Sequence, residues 1–208
     1  MASALEKIQK KLQTLESGKK SFFTADPGET RLRVMPSWQG KNGLFYREVV
    51  THYALGPDRL RVGQCCLKKC PACKRVAKLA RSSDKKKQRR AERMMAQTRI
   101  AMNVVDLKNP KKILIWTISE NLLQELLAYY VDSDYGDFTH PKRGYNIILF
   151  RKGKKKATRY KIRLEKNPSR YKKWKRVKDS IPDLDKRFAP LKPKRLLRIM
   201  QGTDERDD

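Results

Sequence analysis

Acidic residues are scarce in this chain. Across 208 residues, 22 Asp and Glu stand against 51 Lys and Arg, a formal net charge of +29. A field of that sign attracts polyanions and releases their condensed counterions on contact. Nucleic acid is therefore the first class of partner, ahead of anionic membrane surfaces and acidic proteins. Long apolar runs are missing as well: no stretch approaches the roughly 18–20 residues of a membrane-spanning helix. The first residues lack the charged, apolar and small-residue order of a secretory signal. The expected compartment is a reducing cytoplasm, that of a host cell if the chain is viral. Histidine occurs only at 52 and 140, and cysteine is absent outside residues 65–73. Cysteines confined to one short segment do not make the spread framework of a disulfide-stapled fold; they point to metal. Nor is there a Ser/His/Asp set, a Gly-rich phosphate loop or an isolated carboxylate pair. Catalysis has no anchor, and a protein without enzymatic activity is expected.

What is present is a succession of short periodic segments. Leu5, Ile8, Leu12 and Leu15 predict an amphipathic helix over 4–16, stopped at Ser17-Gly18. From Thr30 the period becomes two, with Leu32 and Val34 alternating with Arg31 and Arg33 up to Pro36. A hairpin loop over 39–43 leads into a strand from about Leu44 to Tyr53. A strongly basic stretch from Lys74 to Gln97 has helical composition. Two strands are predicted over Arg99–Asp106 and Lys112–Ile118, then a helix capped by Ser119. A hairpin of Tyr145–Lys152 and Thr158–Leu164 follows, and a last helix at Pro193–Met200 is stopped by Gly202. The expected class is mainly β with helices. Short strands interrupted by one helix are compatible with a five-stranded OB barrel enlarged by insertions.

His52, Cys65, Cys70 and Cys73 have the spacing H-x12-C-x4-C-P-x-C. Zinc takes four soft or borderline ligands in a tetrahedron, and the Cys70-Pro71-Ala72-Cys73 knuckle supplies two of them. A strand end supplies His52. The fourth ligand is Cys65 or Cys66, since neighbouring residues rarely both hold one ion. A site with no open position is structural, so one structural Zn2+ per chain is expected. His140, before Pro141, is expected to be an exposed loop imidazole.

The same two-residue period sorts charge from core. In the last strand Arg159, Lys161 and Arg163 point away from Tyr160, Ile162 and Leu164. Between 151 and 178 there are fifteen Lys and Arg against one acid, Glu165. Aromatic residues are interleaved with the basic rows, and unpaired bases can stack on such rings. The expected nucleic-acid-binding residues are Arg31, Arg33, Tyr46, Arg99, Trp116, Tyr145, Arg151, Arg159, Lys161 and Arg163. Tyr46, Trp116 and Tyr145 are the favoured stacking rings, and Tyr160 is assigned to the core.

These motifs resemble one family. His-x12-Cys…Cys-Pro-x-Cys follows an Arg-Leu-Arg-Val-Met-Pro strand and an Arg-Glu-Val-Val-x-His strand. It precedes Met102–Asp106, Pro141–Gly144 with Tyr145–Phe150, and Tyr160-x-Ile162-x-Leu164 with Pro168-Ser169. Over about 21–169 the chain resembles the helix-destabilising single-stranded-DNA-binding proteins of T-even and other tailed phages. The resemblance implies an OB-fold with an inserted zinc subdomain and a cleft for single-stranded DNA. The family's spacing selects Cys65 over Cys66. It also implies self-association along DNA through a basic N-terminal segment, here Lys7, Lys10 and Lys11. Recruitment of replication or recombination proteins by an acidic tail is implied too, here only Asp204–Asp208. The spacing from Cys65 to Cys70 is shorter than in the T-even protein.

The expected layout is a basic N-terminal helix (1–20), an OB core (21–169) with the zinc subdomain at about 52–98, and a basic helical C-terminal segment (170–208). The expected function is sequence-tolerant single-stranded-DNA binding in phage-type replication, recombination or repair. A zinc-containing RNA-binding protein is the alternative, and a nuclease using Asp132, Asp134 and Asp137 a third.

Overall fold

Alternation in the sequence becomes antiparallel pairing in the structure, a computed structural model that describes residues 21–40, 42–110, 112–154 and 157–204. The helix expected over 4–16 and the acidic tip beyond Asp204 lie outside the described residues. The chain divides into two compact units, one of residues 21–47 and 100–184, the other of 48–99 and 185–204. The segment expected as one C-terminal piece is therefore shared between them.

The first unit is built on β1 (Gly28–Val34), β4 (Gln97–Asp106, from Ile100 onward), β5 (Leu114–Ile118), β6 (Ile147–Lys152) and β7 (Arg159–Leu164). The strands lie antiparallel in the order β5-β4-β1-β6-β7. Among the described residues no pairing joins β7 to β5, so the sheet is open. β4 is buried along both faces from Ile100 to Val105, as suits a strand in the middle of a sheet. Helix α3 (Glu120–Val131) lays Leu122, Leu123 and Leu126 into the core beside Leu32, Ile147 and Leu149. Leu126 is fully buried, worth about 1.5–3 kcal/mol. Ser119 does occupy the N-cap position of α3, but its side chain makes no capping hydrogen bond.

The second unit holds most of β2 (Tyr46–Leu55), then β3 (Arg61–Gln64), α1 (Pro71–Ala80), α2 (Lys85–Met94) and α6 (Pro193–Gln201), which follows the four-residue helices α4 (Trp174–Val177) and α5 (Leu184–Arg187) in the chain. The basic stretch expected as one helical region is two helices. They part at Ser82-Ser83-Asp84, where the Asp84 carboxylate accepts the Lys86 N–H at 2.7 Å and caps α2. Leu196 and Ile199 of α6 pack on Leu55, Cys65, Cys70, Ala72 and Met94. Gly202 ends α6 in the left-handed region (φ 85°), as expected for a C-terminal stop. Among the described residues, no helix is long and apolar enough to cross a membrane.

One glycine is required by close approach. A Cβ on Gly144 would fall on the carbonyl oxygens of Phe138 and His140 and on the Arg33 guanidinium. Two of these are backbone atoms that cannot swing aside. Gly144→Ala is expected to destabilise the first unit by about 3 kcal/mol, the upper end of overpacking costs. Denaturant unfolding checks this.

Candidate metal centre and nucleic-acid interface

The second unit gathers His52, Cys65, Cys70 and Cys73 so that their donor atoms all lie within 4.8 Å of one another. Each is placed by a different local device. β2 carries His52 to its buried face. The β3 exit carries Cys65, whose Sγ accepts the Leu67 N–H at 3.4 Å. Leu67 and Lys69 take positive φ (61° and 53°) to turn the chain back sharply. Pro71 starts α1, putting Cys70 at its N-cap and Cys73 in its first turn, at the positive end of the helix dipole.

Three of the six distances between donor atoms match the edges of a tetrahedron around one ion. Metal–sulfur bonds of about 2.3 Å give edges of about 3.8 Å between sulfurs, and slightly less between sulfur and nitrogen. Cys65 Sγ lies 3.7 Å from Cys73 Sγ, and His52 Nε2 lies 3.5 Å from Cys70 Sγ and 3.4 Å from Cys73 Sγ. His52 Nδ1 is 2.8 Å from the Met94 carbonyl, which can only accept. The ring proton therefore sits on Nδ1 and the Nε2 lone pair faces the sulfurs, an arrangement common to metal-bound histidines. The four residues fit a metal ion, and Cys65 rather than Cys66 belongs to the set.

Protonation follows from the crowding. Burial pushes the Cys65 and Cys66 thiols up, Cys66 to about 11, and Cys73 to about 12. Cys70 is drawn down to about 6, because backbone N–H groups of Cys73 and Cys66 outweigh its own burial. Without a cation the cluster favours one thiolate; a divalent ion would deprotonate the others.

In the first unit, the outward face of β6 and β7 carries the basic row. Pairing sets Ile148 between Arg31 and Arg163, Phe150 beside Lys161, and Lys152 beside Arg159. Arg159, Lys161 and Arg163 are exposed, while Ile162 and Leu164 turn to the core. Arg31 is 60% exposed and pairs with Glu29 and Glu165, each at 3.6 Å. The Arg163 guanidinium lies 5.6 Å above the centre of the Phe150 ring.

Two expected contacts, Arg33 and Trp116, need correction, and Tyr160 and His140 differ in exposure from what was expected. Arg33 is fully buried and gives hydrogen bonds to the His140 carbonyl (2.6 Å), the Ser169 carbonyl (3.1 Å), Ser169 Oγ (3.2 Å) and Asn146 Oδ1 (3.3 Å). Burial lowers its pKa to about 10, with Asp137 and Glu165 acting against that shift. It holds the fold and presents nothing to a phosphate. Trp116 is buried, edge-on to Phe23 at 6.0 Å, and has no face for a base. Tyr46 and Tyr145 are half-buried against the core; Tyr145 donates its hydroxyl to the Asp134 carbonyl. Arg151 is half-buried and donates to the Ala25 carbonyl, and Arg99 is half-buried on β4. Tyr160, expected in the core, is 40% exposed at the strand's open end. His140 is half-buried, and its Nδ1 accepts the Lys142 and Arg143 N–H groups at 3.1 and 3.2 Å.

The carboxylates offered for a nuclease are used locally. Asp132 accepts the Asp134 N–H, and Asp137 accepts both the N–H and the hydroxyl of Thr139. Among the described residues, no acidic group gathers into a metal site.

Phe150, half-buried, shares the face of the basic row: it alternates with Leu149 and Arg151 along β6 and directly opposes Lys161. No protein-family model matches this chain, and no curated protein matches it either.

Proposed function

We propose that this chain binds single-stranded DNA with little sequence preference, in phage-type DNA replication, recombination or repair, and that its Cys3His site holds one structural zinc. The observation that carries the reading is the outward row of β6 and β7, where Lys152, Arg159, Lys161 and Arg163 surround the half-buried Phe150. Cations follow a phosphate backbone, and a ring beside them offers a base a stacking surface that discriminates little between sequences. A guanidinium lying over that ring extends the platform. Three thiolates and an imidazole in a closed tetrahedron favour zinc over harder ions and leave no open position for catalysis. The open antiparallel sheet is read as an OB-type sheet enlarged by the zinc-bearing segment, in keeping with the phage-family resemblance of the motifs.

Phe150→Ala is expected to weaken binding to an oligo-dT strand by about 1–3 kcal/mol, with the circular dichroism spectrum unchanged. Lys161→Gln with Arg163→Gln is expected to flatten the dependence of log affinity on log salt by about 1.4, roughly 0.7 per phosphate released. Fluorescence anisotropy reads both. Unchanged affinity in both variants would remove this face from the interface.

A further inference from the structure

The second unit contains a concavity of about 380 Å³ that neither the metal site nor the β6–β7 row uses. Helix α2 supplies one wall with Lys86, Lys87, Arg89, Arg90 and Arg93. Arg75 and Leu79 of α1 form another, and Arg59 closes the rim. Ala54 lies on the floor, at the bulge where β2 departs from its pairing with β3, and takes a positive φ of 51°. The lining therefore holds five arginines and two lysines, and no acidic or aromatic residue.

A basic run on a helix is ordinarily just a solvated face. Three features set this one apart. Cations from three separate segments converge on one hollow, where like charges repel unless an anion enters. The acids nearby in sequence do not enter it: Asp58 pairs with Arg61 at 4.0 Å and accepts the Leu60 N–H, Asp84 caps α2, and Glu92, between Arg90 and Arg93, is exposed and outside the lining. Arginine outnumbers lysine, and its planar fork matches phosphate oxygens two at a time. The volume lies within the roughly 300–1,000 Å³ of small-ligand sites, so it suits a few phosphates rather than the breadth of a duplex. With no ring to hold a base, the hollow recognises phosphate alone.

We propose that this hollow between α1 and α2 is a phosphate-binding site that takes the sugar-phosphate backbone of a nucleic-acid strand. The proposal rests on the single-stranded-DNA reading for the identity of its occupant, and on the hollow's own chemistry for the phosphate. It is tested on the metal-loaded full chain with Arg89→Gln/Arg93→Gln, and separately with Lys86→Gln/Lys87→Gln. Lys192→Gln/Lys194→Gln removes the same charge from exposed positions of the same unit outside the hollow. Metal content and melting temperature establish that each variant is folded.

The pocket variants are expected to lose at least tenfold in oligo-dT affinity and about 1.4 in salt slope, while the control keeps the wild-type slope. Inorganic tripolyphosphate, followed by calorimetry, is expected to bind the wild type and to bind the pocket variants at least tenfold more weakly. Equal losses in pocket and control variants would overturn the proposal and leave single-stranded-DNA binding standing. Tripolyphosphate binding that depends on these arginines, in a protein that binds no nucleic acid, would refute the backbone as occupant and the single-stranded-DNA reading with it.

Discussion

Cys73→Ser is expected to release the metal and unfold the second unit. The position discriminates well because Cys73 is exposed and lies outside the apolar cluster that holds Cys65 and Cys70. Serine there removes almost no packing, and an exposed site with no further role would change stability by no more than about 0.5 kcal/mol. A metal ligand behaves differently. Structural zinc sites contribute apparent folding free energies of about 10–16 kcal/mol, comparable with a small unit's whole margin of about 5–15. Cys66→Ser, one residue from a ligand, is expected to keep the metal, since Cys66 is not among the four gathered donors. Elemental analysis should find about one zinc per wild-type and Cys66→Ser chain, and far less in Cys73→Ser. Circular dichroism should show the helices of the second unit lost in Cys73→Ser and in wild type treated with a strong chelator. A Cys73→Ser protein that keeps one metal per chain would refute the assignment.

The second large effect concerns Arg33. Methionine is close in length but donates nothing, so Arg33→Met is expected to leave two buried carbonyls, an amide oxygen and a hydroxyl short of their donor. Removing one side of a buried charged network costs about 3–5 kcal/mol, which would consume much of the first unit's stability. Arg33→Lys should recover only part of that loss, because an ammonium cannot reproduce the two-armed fork. Denaturant unfolding measures the loss. The molecules that remain folded should bind oligo-dT as the wild type does. If Arg33→Met unfolded normally but lost DNA affinity, the original reading of Arg33 as a DNA contact would be restored.

Arg33 also shows where the sequence stops being informative. A period of two separates the faces of a strand but does not say whether the second face meets water or another segment. At Arg31 and Arg163 it meets water. At Arg33 the turn around His140 and the stretch at Ser169 fold over it, and nothing local announces contacts 107 and 136 residues away. Trp116 misled for the same reason: Lys112 stands near it in sequence but before the strand begins, while the ring itself turns into the core against Phe23. The Cys3His cluster was legible because its chemistry is local, with three of its members within nine residues. His52 could be added because a strand end beside the knuckle was itself predictable. β3 went unseen because Arg61–Gln64 is four residues with a glycine, too short to show a period. The basic hollow was out of reach for another reason. Its lysines and arginines lie in a stretch that the sequence marks only as basic and helical in composition, and only the turn at Asp84 folds α2 back so that they face Arg75 and Arg59.

Competition between polymers decides whether the proposed single-strand binding holds. The zinc-loaded chain would be titrated against a labelled oligo-dT strand, with unlabelled single-stranded DNA, single-stranded RNA and duplex of matched length as competitors, at several salt concentrations. The account predicts that single-stranded DNA competes best and duplex worst, and that affinity falls steeply with salt, by about 0.7 log units per log unit of salt for each phosphate neutralised. Preference for duplex over both single strands, or affinity indifferent to salt, would contradict it; preference for single-stranded RNA would move the same surface to the other polymer.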